Sequence, residues 1–339
     1  MKCVSLSICI PSYNRVDKAI LTTLEILQQR TKFNFKIIVL DNGSLLSYKD
    51  IFLENPTLCK AVELGYLQII RNTNNIGMSA NFLRLFELSD SNWMWLLSDD
   101  DKIHSNAVSN IYKDLENCDK DIGFIKYSSG RTCINDNFLI NNVEEFIDYN
   151  SNSIDNFNGF LFISNGVYKL SQFKSLIVYG YQYSNTFIPH FMMLFYFFLK
   201  GGRGLVSKKN IVTYVVPEIG YSYGFLAGLS VGTPKNIIAD LSPNYYMKLM
   251  RVFFPHNDFK VLVDLYFHCK SEGNLFVYSF LVTEYVHNVS VARSSSRIAL
   301  LRAVIFLTKS PFIFELLIKI ISKFSQNLKA QFNEIKKRY

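Results

Sequence analysis

The sequence of 339 residues contains no C-x-x-C pair. Its cysteines, Cys3, Cys9, Cys59, Cys118, Cys133 and Cys269, lack the spacing of a zinc site or a disulfide framework, so reduced thiols in a cytosolic compartment are expected. No run reaches the roughly 18 apolar residues of a membrane-spanning helix. The nearest, FIPHFMMLFYFFLK, is short and carries His190. The N-terminal MKCVSLSICIPSYNR has no apolar core of a secretory signal, and its alternation with an early Pro11 points to a strand. That strand is not followed by G-x-G-x-x-G, which speaks against a nicotinamide or flavin dinucleotide domain. Internal repeats and low-complexity tracts are also missing.

What is present describes a globular chain. Hydrophobic residues at 49% and charged residues at 19% supply a large core and exclude a disordered chain. The 20 tyrosines and 29 phenylalanines suit internal packing, sugar-stacking surfaces or a membrane interface. A net charge of +8 favours an anionic partner: nucleic acid, a nucleotide ligand or a cytoplasmic membrane surface. The basic residues gather at the tail without a recognised nucleic-acid module, so nucleic acid has little support.

The first half alternates strand and helix signals, as a doubly wound α/β sheet does. VSLSICIPSY reads as a buried strand closed by Pro11, and Ile20, Leu24 and Leu27 mark a helix over 16–29. FKIIVLD is a second strand ending at Asp41, LQIIRN a third, MSANFLRLFELS a helix and NWMWLLS a fourth strand. A helix over 105–118 with Ser105 as N-cap follows, then the strand IGFIKY. Residues 128–158 are polar and weakly periodic, an excursion of loops and short elements. FLFISNGVYKL restores a strand pattern, the stretch around FIPHFMMLFYFFLK is a buried helix, GGRGL is its stop, with Arg203 within reach of a pyrophosphate, and NIVTYVV is a late strand. Such an order implies mainly parallel pairing with right-handed crossovers. Ligands of open α/β sheets sit beyond the carboxyl ends of the strands, where Ser12 to Arg15, Asp41 and Asp99 to Asp101 all fall.

In WMWLLSDDDKI an aromatic strand runs directly into three carboxylates, which raise one another's cost of ionisation. Asp99 and Asp101 form a D-x-D pair of the kind that holds a ribose and a divalent cation, and its bland counterpart is a capping surface loop. Asp41 faces a nucleoside or forms an Asx turn with Asn42 and Gly43.

SICIPSYNR, IIVLDNGS, RNTNNIGMSANF and WLLSDDD, in that order, resemble the N-terminal half of family 2 glycosyltransferases, which have the GT-A fold. The resemblance implies that Pro11, Tyr13 and Arg15 line the nucleotide pocket and that Asp41 contacts the base. It further implies that Arg71, Asn75, Gly77 and Asn81 form the segment beside the nucleotide, and that Asp99, Asp100 and Asp101 form the ribose and metal site for Mg²⁺ or Mn²⁺, with Asp101 catalytic. SDDD with the later IPHFMMLF is most similar to O-antigen abequosyltransferase-like enzymes. Many members carry an acidic pair before the later helix, whereas TFIPHFMML has no acid there; His190 is the remaining proton acceptor, or a histidine packed at a helix start.

The expected organisation is a GT-A domain over 1–220, with a nucleotide-sugar half over 1–105 and an acceptor half over 106–220. A helical region over 221–339 follows. Its last stretch sets Phe312, Leu316, Ile320, Phe324 and Leu328 at helical spacing beside Lys319, Lys323, Lys329, Lys336, Lys337 and Arg338, the pattern of an interfacial helix or of an ordinary packed one. The expected activity is transfer of a hexosyl or deoxyhexosyl group from a nucleotide sugar to a lipid-linked glycan such as O-antigen or capsule, peripheral on the inner face of the cytoplasmic membrane. The rivals are a non-catalytic scaffold of a glycan assembly complex and a nucleotidyltransferase, although PSYNRVDK is not the latter's glycine-rich loop.

Overall fold

The computed structural model describes residues 5–129, 134–184 and 188–215, together with the single positions Tyr266 and Leu316. These three segments belong to one compact unit, 1–184 and 188–216. The helices and basic tail expected beyond residue 221 lie outside the described residues, apart from those two positions.

The chain opens with β1 (Leu6–Ser12), buried along its whole length, and α1 (Val16–Gln28). Next come β2 (Phe35–Asp41), α2 (Tyr48–Glu54), α3 (Pro56–Glu63), β3 (Leu67–Arg71), α4 (Met78–Leu88) and β4 (Trp93–Leu96). β1 pairs in parallel with both β2 and β4, and β2 pairs in parallel with β3. Near-continuous apolar strands are what a parallel sheet covered on both faces requires. Pro11 does not close β1: it pairs with Leu40, and the strand runs on to Ser12. Proline's fixed φ is compatible with extended chain, and here it removes a ladder donor only next to the strand's end.

The second part comprises β5 (Lys102–Ile103), α5 (Ala107–Asn117), β6 (Ile122–Ser128), β7 (Phe138–Ile140), α6 (Val143–Asn152), α7 (Ile154–Leu161) and β8 (Gly166–Lys169). It continues with α8 (Leu170–Phe173), α9 (Ile177–Gln182), α10 (Pro189–Leu199), β9 (Arg203–Asn210) and β10 (Val212–Thr213). The main sheet has the order β3-β2-β1-β4-β8-β6-β9-β7, while β5 and β10 pair separately. β8 is antiparallel to both β4 and β6, so β6 runs in the same direction as β1 and β4. The architecture is the GT-A-like, mostly parallel sheet flanked by helices that the sequence predicts.

Three local expectations are corrected and one is made specific. Ser105 is not the cap of α5; Asn106 precedes that helix, without a side-chain capping bond. The polar excursion contains two helices, because its Asn and Ser residues are caps: Asn142 accepts from the Glu145 N–H and Ser153 from those of Asp155 and Asn156. In FLFISNGVYKL only Gly166–Lys169 is strand, since Phe160 and Leu161 finish α7 and Ile163–Asn165 form a 3-10 turn. Gly201, at φ +81°, does stop α10, but a full strand follows it directly, and NIVTYVV contributes only the two residues of β10.

α10 is apolar on every side, with Phe191 to Phe195 consecutively buried, as in a helix enclosed by protein. No described helix is long and apolar enough to cross a membrane.

One buried charge stands out beside this core. Lys126 on β6 is fully buried, its Nζ has no hydrogen-bond partner among the described residues and it lies 4.8 Å from the Phe160 ring centroid. Burial pulls its pKa from 10.5 to about 7. Between those values the unfolded chain binds the proton and the folded chain does not, so this residue makes stability rise with pH across that window. Lys126→Met is therefore expected to raise the melting temperature at pH 7 and to reduce the difference in stability between pH 7 and pH 9. Thermal melts at both values check this; a variant less stable than wild type at pH 7, with the pH slope intact, contradicts it.

Candidate functional site

Parallel register brings the ends of four strands together. Ser12 at the end of β1 pairs with Asp41 at the end of β2, which pairs with Arg71 at the end of β3. The Leu97 N–H donates to the Cys9 carbonyl, so the chain leaving β4 reaches the same edge one step later as Ser98 to Asp101.

There the three carboxylates have different partners. Asp99, with its side chain fully buried, accepts from Ser12 Oγ at 2.5 Å and lies 2.7 Å from Arg15 Nη2. Its main-chain carbonyl accepts from Thr22 Oγ1 on α1 at 3.0 Å. Asp100 accepts from Arg15 Nη1 at 2.7 Å and from Ser98 Oγ at 2.5 Å. Asp101 turns the other way. Its Oδ2 accepts from Ser164 Oγ at 2.6 Å and its Oδ1 faces the Val215 N–H at 3.5 Å. Burial pushes both Asp99 and Asp101 up to about 6; Arg15 and Ser12 oppose this at Asp99, and Ser164 opposes it at Asp101. Tyr48 on α2 completes the first group, its hydroxyl 2.8 Å from Ser12 Oγ and 2.8 Å from the Arg15 backbone N.

The second part of the edge is built on Asp41. Its Oδ1 accepts from the Ser44 N–H at 2.8 Å, and its Oδ2 lies 3.3 Å from Arg71 Nη1. Arg71 also donates to the Leu46 and Ser44 carbonyls, fastening the loop after β2. Asn42 accepts from Asn72 Nδ2 and donates to Asn75 Oδ1, while Asn72 also donates to Asn81 Oδ1. Gly43 is held at φ +75°, where a Cβ would stand 2.7 Å from the Asn74 carbonyl carbon, so the loops after β2 and β3 touch through backbone. Asn14, at φ +53°, caps the Leu45 N–H and so ties the loop after β1 to the same group.

Eight of the residues predicted from sequence fall into two sets, and Asp101 stands beside them with Ser164. Ser12, Arg15, Asp99 and Asp100 are joined directly by hydrogen bonds and ion pairs; Asp41, Arg71, Asn75 and Asn81 belong to the neighbouring network. Pro11 is buried in β1, Tyr13 is 42% exposed at the edge, and Gly77, at φ +84°, precedes α4. His190 stands apart from both sets. It starts α10, 3% exposed, edge-on to Phe82, with Nε2 3.0 Å from the Leu161 carbonyl. Burial pulls its pKa from 6.5 to about 4. Arg203 begins β9 at the opposite, amino end of the sheet, paired with Asp121, and does not approach the triplet. Sequence reading passed over Tyr48 and Asn72 and took Asn42 only as part of a turn after Asp41, although all three lie within the matched motifs or just beyond them. It also passed over Ser164, which no local pattern marks: it lies 63 residues from Asp101 in sequence and reaches it only because β8 pairs with β4.

A divalent cation fits this donor set in one form. No group of three or more His, Cys, Asp or Glu side chains poised to hold a metal occurs among the described residues, so a closed structural site is not built there. Mg²⁺ and Mn²⁺ take carboxylate oxygens, often one or two from the protein and the rest from phosphates and water. Asp101 is a buried carboxylate with no cationic partner among the described residues, which suits that chemistry.

Comparison with known proteins gives the family and the fold. The profile described as Glycosyl transferase family 2 matches residues 7–179. No curated protein matches the chain by sequence. Among solved structures, Staphylococcus aureus TarS residues 1–349 aligns over 92% of this chain and 90% of its own, at 15% identity and TM-score 0.61. The same protein in complex with UDP-GlcNAc aligns over 91% and 88%, at 14% identity and TM-score 0.61. A mannosyltransferase from Pyrobaculum calidifontis in complex with GDP-Man and Mn²⁺ aligns over 98% and 84%, at 10% identity and TM-score 0.51. These likenesses are of fold.

The contact at Gly43 sets a test of the edge. Gly43→Ala places a Cβ against the Asn74 backbone as well as in the left-handed region, and is expected to lose about 2–3 kcal/mol. Gly65→Ala, at φ +72° with open space around it, is expected to lose about 1 kcal/mol. Chemical denaturation of both variants checks the ranking; equal losses contradict the close approach at Gly43.

Proposed function

The chain belongs to Glycosyl transferase family 2, and from that premise we propose that it moves a hexosyl or deoxyhexosyl group from a nucleotide-sugar donor to a hydroxyl of a lipid-linked surface polysaccharide intermediate such as O-antigen or capsule. The observation that carries the donor half of this reading is the shared edge of Asp41 and the acidic triplet, where nucleoside and diphosphate are to lie. The nucleotide and nucleotide-sugar complexes of TarS and the Pyrobaculum mannosyltransferase support a donor of that class. SDDD with IPHFMMLF supports the narrower abequosyltransferase-like assignment and the surface-glycan acceptor.

In this mechanism Tyr13, Arg15 and the Asn75–Asn81 segment line the nucleotide, with Pro11 shaping the strand end beneath it. Asp41 meets the base and Asp99 the ribose. Asp101, with Asp100 beside it, would hold Mg²⁺ or Mn²⁺. A divalent cation bound there supplies charge neutralisation for the departing diphosphate. Arg15, already between two carboxylates, adds a fixed positive charge beside it. His190 receives the proton of the acceptor hydroxyl as that oxygen attacks the anomeric carbon. With Nε2 facing the Leu161 carbonyl, Nδ1 is the nitrogen that receives this proton, and the burial that pulls the ring's pKa to about 4 makes it a weak base at neutral pH.

The 1–220 domain does this chemistry, its halves supplied by 1–105 and 106–220. The apolar and lysine-bearing sequence beyond Pro311 supports attachment to an anionic membrane surface, on the cytoplasmic inner face where a lipid-linked acceptor lies.

Three measurements test the reading. A panel of sugar nucleotides, screened with and without Mn²⁺, is expected to raise the melting temperature only for the true donor and more strongly with the metal. Asp101→Asn is expected to reduce transfer by more than a hundredfold without lowering the melting temperature. The folded protein holds the Asp101 proton up to about pH 6, against 3.8 unfolded, so ionising it costs stability at neutral pH and a neutral amide removes that cost. Full activity in that variant contradicts the cation assignment. His190→Gln at wild-type turnover takes His190 out of the mechanism.

A further inference from the structure

Asp99 and Asp100 both pair with Arg15, whereas Asp101 has no cation beside it among the described residues and is held by neutral donors alone. What fixes its carboxylate is then a question of those donors. The Val215 N–H is a distant contact at 3.5 Å, and the Ser164 hydroxyl a close one at 2.6 Å. Ser164 is completely buried, and its own position does not depend on Asp101. Its carbonyl accepts from Trp95 Nε1 at 2.7 Å, and its Oγ accepts from the Ser98 N–H at 2.9 Å. With that donor already on the hydroxyl oxygen, the Ser164 proton is directed away from Ser98 and onto Asp101 Oδ2. The 3-10 turn of Ile163–Asn165 is anchored a second time where Asn165 Nδ2 donates to the Tyr127 carbonyl on β6 at 2.9 Å. The hydroxyl is thus a preset donor, locked to β4 and β6 before any ligand arrives.

We infer that Ser164 is a positioning residue of the transfer reaction: its hydroxyl sets the orientation of the Asp101 carboxylate and thereby the affinity of the site for a divalent cation. This rests on the cation reading given under Proposed function. One Asp101 oxygen spends a lone pair on the serine proton, and the carboxylate plane is fixed by that bond. The remaining lone pairs then face a defined direction instead of sampling rotamers. Hydrogen-bond partners of metal-binding carboxylates commonly change metal affinity by 10–100-fold when removed.

The test titrates Mn²⁺ into the full chain, with UDP or GDP present, and follows free Mn²⁺ by electron paramagnetic resonance. Ser164→Ala is expected to weaken Mn²⁺ binding by about 10–100-fold with little change in affinity for the nucleotide measured without metal. Ser164→Thr, which keeps the hydroxyl, is expected to stay within about threefold of wild type. Ser164→Cys keeps the volume with a poor donor, and is expected to weaken Mn²⁺ as alanine does should the alanine variant not fold. In an Asp101→Asn background, Ser164→Ala is expected to have no further effect on Mn²⁺, because the two side chains act as one unit. Wild-type Mn²⁺ affinity in the alanine or cysteine variant overturns the inference while leaving the cation site standing. Failure of wild type itself to bind Mn²⁺ overturns both.

Discussion

Mutual repulsion among three adjacent carboxylates is the constraint around which this site is organised. Side by side at the mouth of a buried strand, Asp99, Asp100 and Asp101 can stay ionised only if each finds compensation. The chain solves this by dividing them. Arg15 sits between the first two, and Ser12 holds Asp99 from beneath. Asp101 turns toward Ser164 and the segment ending at Val215. The triplet is therefore a junction between strands β1, β2 and β4 on one side and the elements around β8 and β10 on the other. The pairing of β5 with β10 reinforces it, drawing residues 102–103 against 212–213.

The same division separates two tasks. Asp41, Arg71 and the asparagine network stiffen loops that meet through the Gly43 backbone, a close approach that side chains would prevent. A rigid, polar edge of this kind suits recognition of a nucleoside. Asp101, buried and without a cation of its own among the described residues, is the costly element, since burial shifts it toward protonation. Sites that keep such groups ionised give up stability for function. Lys126 repeats the pattern away from the triplet, a buried amine with a lowered pKa, and nothing in the donor motifs explains it.

Much of the carboxyl edge was legible in the sequence because its determinants are local. FKIIVLD ends where a parallel strand ends, and a carboxylate there has to emerge at the ligand edge. The D-x-D pair after WMWLL is equally local. Ser164 was not legible: ISNG carries no motif, and only the antiparallel β4–β8 pairing, set by the whole sheet, brings it to Asp101. Residues 128–158 were legible only as loops and short elements, for a related reason. Asn142 and Ser153 look like loop residues in a list, yet each caps a helix whose apolar face, with Val143, Phe146 and Ile147, is defined by packing. His190 illustrates the remaining gap. Its type was visible, whereas its burial against Phe82 and its bond to Leu161 depend on where α7 and α10 meet.

The account comes down to one hollow shared by Asp41 and the triplet, with a cation between the protein and a diphosphate. Anomalous diffraction at the manganese edge, from crystals containing Mn²⁺ and either UDP or GDP, examines it directly. The account predicts a manganese peak within coordination distance of the Asp101 carboxylate, the diphosphate on its far side and the base beside Asp41. Manganese or nucleotide bound away from the carboxyl edge, with Asp41 and Asp101 opening into separate spaces, would contradict it.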